Sequence, residues 1–283
     1  MSLGILTNVA ATYAENNLNQ TQGSLQTVLQ QLSSGSRINS GADDAAGLSV
    51  ADGLHANEAA LTQSAQNAQN GVGLLQTADG ALSQVTNLLD RAVTLATEAS
   101  NGGLTAAQAG AANTEYQSIL TEIGNIGTST NFNSTGVFTA TATNFTVSDG
   151  TTAGTTTIAA TVGALTAGSV GTATGGGAGQ SLTGTTLTST TNATTALSDV
   201  TTAIADIANQ RGAIGANINQ LNAAANVASS EEVNLSSAES SIRSTNYGQA
   251  TSDLAKYQVL SQTGISALAQ ANSVQQEILK LLQ

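Results

Sequence analysis

Residues 197–242 read LSDVTTAIADIANQRGAIGANINQLNAAANVASSEEVNLSSAESSI. From Leu197 the stripe steps by three and four residues: Leu197, Val200, Ile204, Ile207, Arg211, Ile214, Ile218, Leu221, Ala225, Ala228, Glu232, Leu235, Glu239, Ile242. Only Arg211 and the two glutamates interrupt this seam, and such spacing keeps apolar side chains on one face of a long helix. Earlier in the chain, Val72, Leu75, Leu82, Leu89, Val93 and Ala96 form one stripe. Leu74, Ala78, Ala81, Val85, Leu88, Ala92, Leu95 and Ala99 form a second stripe beside it. Together the two rows cover roughly 160° of a helix, more than a two-stranded seam requires, so this helix expects several neighbours. Taken as 54–100 and 197–242, the two helices are equal in length, each about 70 Å, which suits antiparallel packing. Asn101-Gly102-Gly103 ends the first. A third helix over 105–126, with Tyr116, Ile119, Leu120, Ile123 and Ile126, is expected to lie back along it, giving a three-helix rod.

The surroundings of these stripes are unusual. Charged residues make up 8% of the 283 residues and aromatics 2%, against about a quarter charged in an ordinary soluble domain. The faces opposite the stripes carry Ala, Ser, Thr, Asn and Gln, small enough for close backbone approach and polar enough to bond across a contact. We read them as faces that meet other copies of the chain. The net charge is −12 and the six basic residues are scattered singly, which argues against nucleic acid and against an anionic membrane surface. There is no Cys and so no disulfide or thiolate chemistry. No apolar run of about 18 residues could insert into a bilayer. Residues 1–11 lack the basic and apolar regions of a signal peptide, so export, if it occurs, is expected to use a dedicated route without a cleaved leader. There is no proline, so helix ends depend on glycine and capping.

Both termini are amphipathic. Leu18, Leu25, Leu29 and Leu32 mark one stripe, and Leu254, Tyr257, Leu260, Leu268, Ala271, Val274, Ile278 and Leu282 mark the other. These two are expected to pair. Gly4, Gly23, Gly248 and Gly264 interrupt them, each costing a helix interior up to about 1 kcal/mol. The ends are therefore expected to be disordered in the monomer and to order on assembly. Between 128 and 195 the composition turns to Thr, Gly, Ala and Ser. Alternation over 137–147 and 155–162 predicts short strands and hairpins, with a disordered linker as the rival; the segment 168–184, which holds Gly175-Gly176-Gly177, suits either.

Little material for catalysis is present. Asp43-Asp44, after Ser40 and Gly41, reads as helix N-terminal capping, because adjacent helical residues diverge by about 100° and do not converge on a substrate. His55 is the only histidine, too few for a paired-imidazole metal site or a Ser/His/Asp machine. Gly71-Val72-Gly73 and the triple glycine lack the strand, lysine and helix of a phosphate loop. No catalytic, cofactor or metal site is expected. Arg211, on a seam position, is either a side chain snorkelling over apolar surface or a register device paired with Asp79 or Asp90. Arg37 and Arg243 are candidates for intersubunit contacts. Asn-x-Ser/Thr triplets at Asn19, Asn133, Asn144, Asn192 and Asn234 are at chance level for this composition, while exposed Ser and Thr of the middle region are candidates for glycosylation.

The run Leu32-Ser33-Ser34-Gly35-Ser36-Arg37-Ile38-Asn39-Ser40-Gly41-Ala42-Asp43-Asp44-Ala45-Ala46-Gly47-Leu48 closely resembles the N-terminal signature of bacterial flagellins. The resemblance continues through Asn67-Ala68-Gln69-Asn70-Gly71-Val72 and Leu74-Leu75-Gln76-Thr77-Ala78-Asp79-Gly80-Ala81-Leu82. It resumes at residues 234–245, NLSSAESSIRST, and at Leu268-Ala269-Gln270-Ala271-Asn272. It covers about 1–137 and 193–283 and leaves out the middle.

That resemblance implies a mainly α protein: a long antiparallel helical rod plus terminal coiled-coil helices, with a small β-rich variable middle domain. By it, 1–41 and 243–283 are inner-tube helices, 42–137 and 193–242 the helical rod with a β-hairpin, and 138–192 the variable, surface-exposed Thr/Gly-rich β domain. It implies a structural subunit that polymerises into the extracellular flagellar filament, the helical propeller of swimming. A hook–filament junction protein and a surface adhesin filament are the alternatives. Implied partners are other copies of the chain, the cap and hook-junction proteins, an export chaperone and the flagellar type III apparatus. Subunit-interface candidates are Leu25, Leu29, Leu32, Arg37, Arg211, Arg243, Leu254, Leu268 and Ile278. Some flagellins carry a zinc peptidase with a His-Glu-x-x-His helix, a motif missing here. Where similar proteins have a proline near the end, this chain has Gln276, and a bulkier pair replaces Tyr247-Gly248. Some flagellins present a patch to an innate immune receptor, matched here by Arg91, Leu95 and Glu115. Val93 stands where a second arginine is typical and Glu98 where a glutamine is common, which implies weakened receptor binding.

Overall fold

The computed structural model describes residues 8–139, 141–151, 154–173 and 176–281. Its elements, in order, are α1 (Val9–Ser34), α2 (Ala45–Ser100), α3 (Ala106–Ser129), β1 (Asn131–Phe132), β2 (Thr135–Gly136), β3 (Thr143–Val147), β4 (Thr156–Ala160), β5 (Val170–Thr172), β6 (Ala178–Gln180), α4 (Thr190–Arg243) and α5 (Tyr247–Leu281). The long helices outrun their sequence stripes, α2 by nine residues at its start and α4 by seven. Local capping explains the gain at α2: Asp44 Oδ1 accepts from Gly47 N at 2.8 Å, so Asp44 is the N-cap. Asp43 Oδ2 accepts from Asn39 N at 2.9 Å and Ser40 N at 2.8 Å, closing the preceding turn. These two backbone bonds hold the Asp43 carboxyl below its ordinary range. α3 opens on a capping box in which Thr105 and Gln108 bond reciprocally.

The chain divides into two units, 57–233 and 1–56 with 234–283. In the first, α3 and α4 each run antiparallel to α2. Arg91 faces Glu115 across α2 and α3, Arg211 faces Asp79 across α2 and α4, and Gly71 lies against Leu221. Both stripes of α2 are buried at Leu75, Ala78, Leu82, Val85, Leu89, Ala92 and Ala99, so the wide face does meet several neighbours. Tyr116, Ile119, Leu120 and Ile123 of α3 and Val200, Ile207, Ile214 and Leu221 of α4 complete this core.

On α4 the buried row differs from the sequence seam. Val200, Ile207, Ile214, Leu221 and Ala228 are buried as expected, but their companions are Ala196, Ala203 and Gln210, while Leu197, Ile204 and Arg211 are only half-buried. The cause is a neighbour on that flank. β5 and β6 form an antiparallel hairpin whose Gln180 N–H donates to Asp206 Oδ2 at 2.8 Å. Gly171, at φ +78°, brings its backbone so close to α4 that a β-carbon there would lie 2.5 Å from Asp206 C and Ile207 N. Small residues on α4 admit this approach.

The other strands form two more antiparallel hairpins, β1 with β2 and β3 with β4. Asn133 and Ser134 link the first with φ of 49° and 64°, the positive pair of a type I′ turn. The middle segment adds Ile158, Val162, Leu165, Val170, Leu182 and Leu187 to the helical core, so these residues share one buried cluster with the helices. α3 grips its far end: Tyr116 Oη lies 2.7 Å from Thr185 Oγ1, Gln117 Nε2 donates to Thr185 O and Leu187 N donates to Asn113 Oδ1.

In the second unit, α1 and α5 pair antiparallel. Asn8 Nδ2 donates to Ala271 O at 2.9 Å at one end, and Gly35, in the left-handed region, lies beside the Tyr247 hydroxyl at the other. The connections cross in a short ladder in which Arg37 N donates to Arg243 O, Thr245 N donates to Gly35 O, and Ser36 bridges Ser244.

Candidate functional site

The α1/α5 pair meets along a narrow stripe. Its half-buried members are Ala11, Ala14, Leu18, Thr21, Leu25 and Leu32 on α1, and Leu254, Tyr257, Ser261, Gly264, Leu268 and Ala271 on α5. Gly264 lets Leu18 sit directly on the α5 backbone. Val28 and Ala250 are the buried side chains of the pair among the described residues. A packed helix normally buries far more, at about 1.5–3 kcal/mol for each large apolar side chain.

Several large apolar side chains of the pair are left outside. Tyr13 is 68% exposed, Val259 62%, Val9 59% and Ile265 49%, with Leu29, Leu260 and Val274 also exposed. Each helix therefore presents apolar side chains away from its partner as well as toward it. Leu25, Leu32, Leu254 and Leu268 fall on the intramolecular stripe; Leu29 does not, and it points to solvent. The side chain of Ile278 lies outside the described residues, as do Gly4, Gly175 and Leu282. Periodicity missed Val9, Tyr13, Val259 and Ile265 because they stand off the heptad stripe; their signal was being large and apolar at positions outside it.

The arginines have partners inside the chain. Arg37 Nη2 and Nε donate to Ile242 O at 2.8 and 3.2 Å, satisfying a carbonyl in the last turn of α4. Arg243 Nη1 lies 3.1 Å from Glu239 and 3.8 Å from Asp52. His55 Nδ1 is 3.5 Å from Glu239. Arg211 makes a fork with Asp79, at 2.7 and 3.2 Å, and not with Asp90. That fork raises the arginine's affinity for its proton, through the hydrogen bond first.

At the position matched to the receptor patch, Arg91 and Glu115 form a second fork, at 2.7 and 3.0 Å. The Arg91 bond lowers the Glu115 carboxyl. Leu95 is 2% exposed and belongs to the core, so the free surface there is made by Arg91 and Glu115 without it. Among the described residues no helix is long and apolar enough to cross a membrane.

Comparison with known proteins gives these features a family. The bacterial flagellin N-terminal helical region matches residues 5–143, and the bacterial flagellin C-terminal helical region matches residues 197–282. The chain is 31% identical over 279 residues to the flagellar filament 30.7 kDa core protein of Treponema maltophilum, covering 97% of this chain and 98% of that one. It is 30% identical over 275 residues to a flagellin of Halalkalibacterium halodurans, again covering 97% and 98%. Its match to flagellin 1 of Proteus mirabilis, 36% over 151 residues, covers 53% of this chain and 41% of that relative, less than half its length. The crystal structure of Bacillus cereus flagellin superposes with a TM-score of 0.47 at 29% identity, over 57% of this chain and 88% of that one. With both terminal regions matched and relatives aligned along nearly their whole length, the chain belongs to the bacterial flagellin family, the structural subunits of the extracellular flagellar filament.

Proposed function

We propose that this chain polymerises through its α1/α5 pair into the flagellar filament, and that these two helices become fully ordered only there. The observation that carries the reading is the exposure of Val9, Tyr13, Val259 and Ile265 on a pair with almost no buried side chains of its own. Covering such side chains with neighbouring copies supplies the burial that the isolated pair lacks. Leu29 and Tyr247 are further exposed apolar side chains of the same pair. Residues 1–41 and 243–283 then act as tube-forming ends, and 138–192 as the outward segment whose exposed hydroxyls are open to glycosylation.

Family membership supports the remaining partners of this reading: the cap and hook-junction proteins at the two ends of the polymer, a chaperone that covers the C-terminal helix, and the flagellar type III apparatus for export. Recognition by the innate immune receptor is weakened, because the Arg91/Glu115 fork occupies its own charges and Leu95 is withdrawn.

The test is electron microscopy of purified chain seeded with short filament fragments. Elongation into tubes is expected for the wild type. A Val259→Asp, Ile265→Asp variant should keep its helical core yet fail to elongate, since a buried carboxylate without a partner costs several kcal/mol. Elongation of the double variant at the wild-type rate would refute the assignment of this surface.

A further inference from the structure

The dipeptide Asn-Gly occurs at Asn70-Gly71 and at Asn101-Gly102, and both asparagines are exposed. Their backbones differ. Asn70-Gly71 lies within α2, where the helical ladder fixes the glycine N–H. Asn101-Gly102 follows the last residue of that helix, in the turn to α3. Here Asn101 Oδ1 lies 3.4 Å from Gly103 N, so the side chain is folded forward over the Asn101–Gly102 peptide. A β-carbon at Gly102 would meet nothing within 4 Å. The backbone bonds of the turn run from Asn101 N to Glu98 O and from Leu104 N to Asn101 O, and neither engages Gly102 N–H.

We propose that Asn101 is a site of spontaneous self-modification. The Gly102 backbone nitrogen, having given up its proton to solvent base, attacks Asn101 Cγ and closes a five-membered succinimide. The Cγ–Nδ2 bond breaks and the side-chain nitrogen leaves as ammonia, taking up a proton. Water then adds to one imide carbonyl and that carbonyl's bond to the ring nitrogen breaks, the nitrogen keeping a proton; opening at Cγ yields aspartate and opening at the backbone carbonyl yields isoaspartate. No oxidant, metal or enzyme enters the balance; water is the sole co-reactant. Glycine in the second position matters twice, because it has no side chain to obstruct the attack and its backbone turns freely toward Cγ. The helix denies Asn70 that rotation, so reaction there waits for local opening.

The product changes the turn. Either isomer puts a new carboxylate at the C-terminal end of α2, which already carries the negative end of the helix dipole and Glu98. Isoaspartate also routes the main chain through the side chain, lengthening the α2–α3 connection by one methylene.

The two sites in one molecule supply their own control. Full-length protein held in mildly alkaline buffer is digested and mapped by mass spectrometry, with fragmentation that separates aspartate from isoaspartate. The Asn101 peptide is expected to convert more than about tenfold faster than the Asn70 peptide, since the latter must first open its helix. A Gly102→Ala variant, checked for unchanged helical circular dichroism, should slow the Asn101 reaction severalfold. Equal rates at the two asparagines, no conversion at Asn101, or an undiminished rate in Gly102→Ala would each overturn the proposal.

Discussion

Replacing Gly171 by Ala tests how the middle segment is held on the helical core. Gly171 sits at φ +78°, and the added β-carbon would lie 2.5 Å from both Asp206 C and Ile207 N, atoms of the α4 backbone that cannot swing aside. The left-handed conformation alone costs a non-glycine residue about 1–2 kcal/mol. To relieve the contact, β5 must retreat by roughly an ångström, the shortfall from an ordinary van der Waals separation. That retreat stretches the bond from Gln180 N to Asp206 Oδ2, now 2.8 Å, and Asp206 is 6% exposed. Weakening a hydrogen bond to a charged group costs about 1.5–3 kcal/mol. The expected loss is about 2.5–5 kcal/mol, confined to the hairpin if it opens on its own. Hydrogen exchange on the full chain reads this directly. The Gln180 amide should exchange faster by two orders of magnitude or more, at about 1.4 kcal/mol for each factor of ten, while Leu82 and Leu89 amides stay protected. Unchanged protection at Gln180 would refute the reasoning. Seeded elongation should survive in this variant, because the hairpin contributes no residue to the α1/α5 pair proposed to carry assembly.

Two further substitutions address the charged positions. Arg211→Leu removes the fork with Asp79; both partners are 38% exposed, so solvent screening limits the loss to about 1 kcal/mol in chemical denaturation. Misassembled or irregular filaments despite that small loss would assign Arg211 to register, and normal filaments would assign it to surface cover. Asp43→Asn addresses pH. The folded Asp43 carboxyl lies below its ordinary 3.8, so its contribution is present above that value and lost as the pH falls through the folded one. The stability gap between wild type and Asp43→Asn, read by thermal unfolding, should be constant near neutral pH and close in acid; a gap that widens in acid would contradict the assigned bonds.

Much of this molecule was legible in its sequence because helices announce themselves by local periodicity. The rows from Val72 to Ala99 and from Leu197 to Ile242 gave the long helices, Asn101-Gly102-Gly103 the end of the first, and the run 32–48 the family. Asp44 was readable as a cap because capping involves neighbours within three residues. Three matters needed the folded chain. The companion row on α4 moved from Leu197, Ile204 and Arg211 to Ala196, Ala203 and Gln210, because a hairpin tens of residues away covers that flank. Leu95 was drawn into the core, and Arg37 was turned to the last carbonyls of α4, through contacts between segments remote in sequence. Val9, Tyr13, Val259 and Ile265 were left uncovered, which periodicity along one helix does not reveal. The order of residues determined which faces are apolar; only the three-dimensional packing decided which of those faces are used within the chain and which remain for another copy.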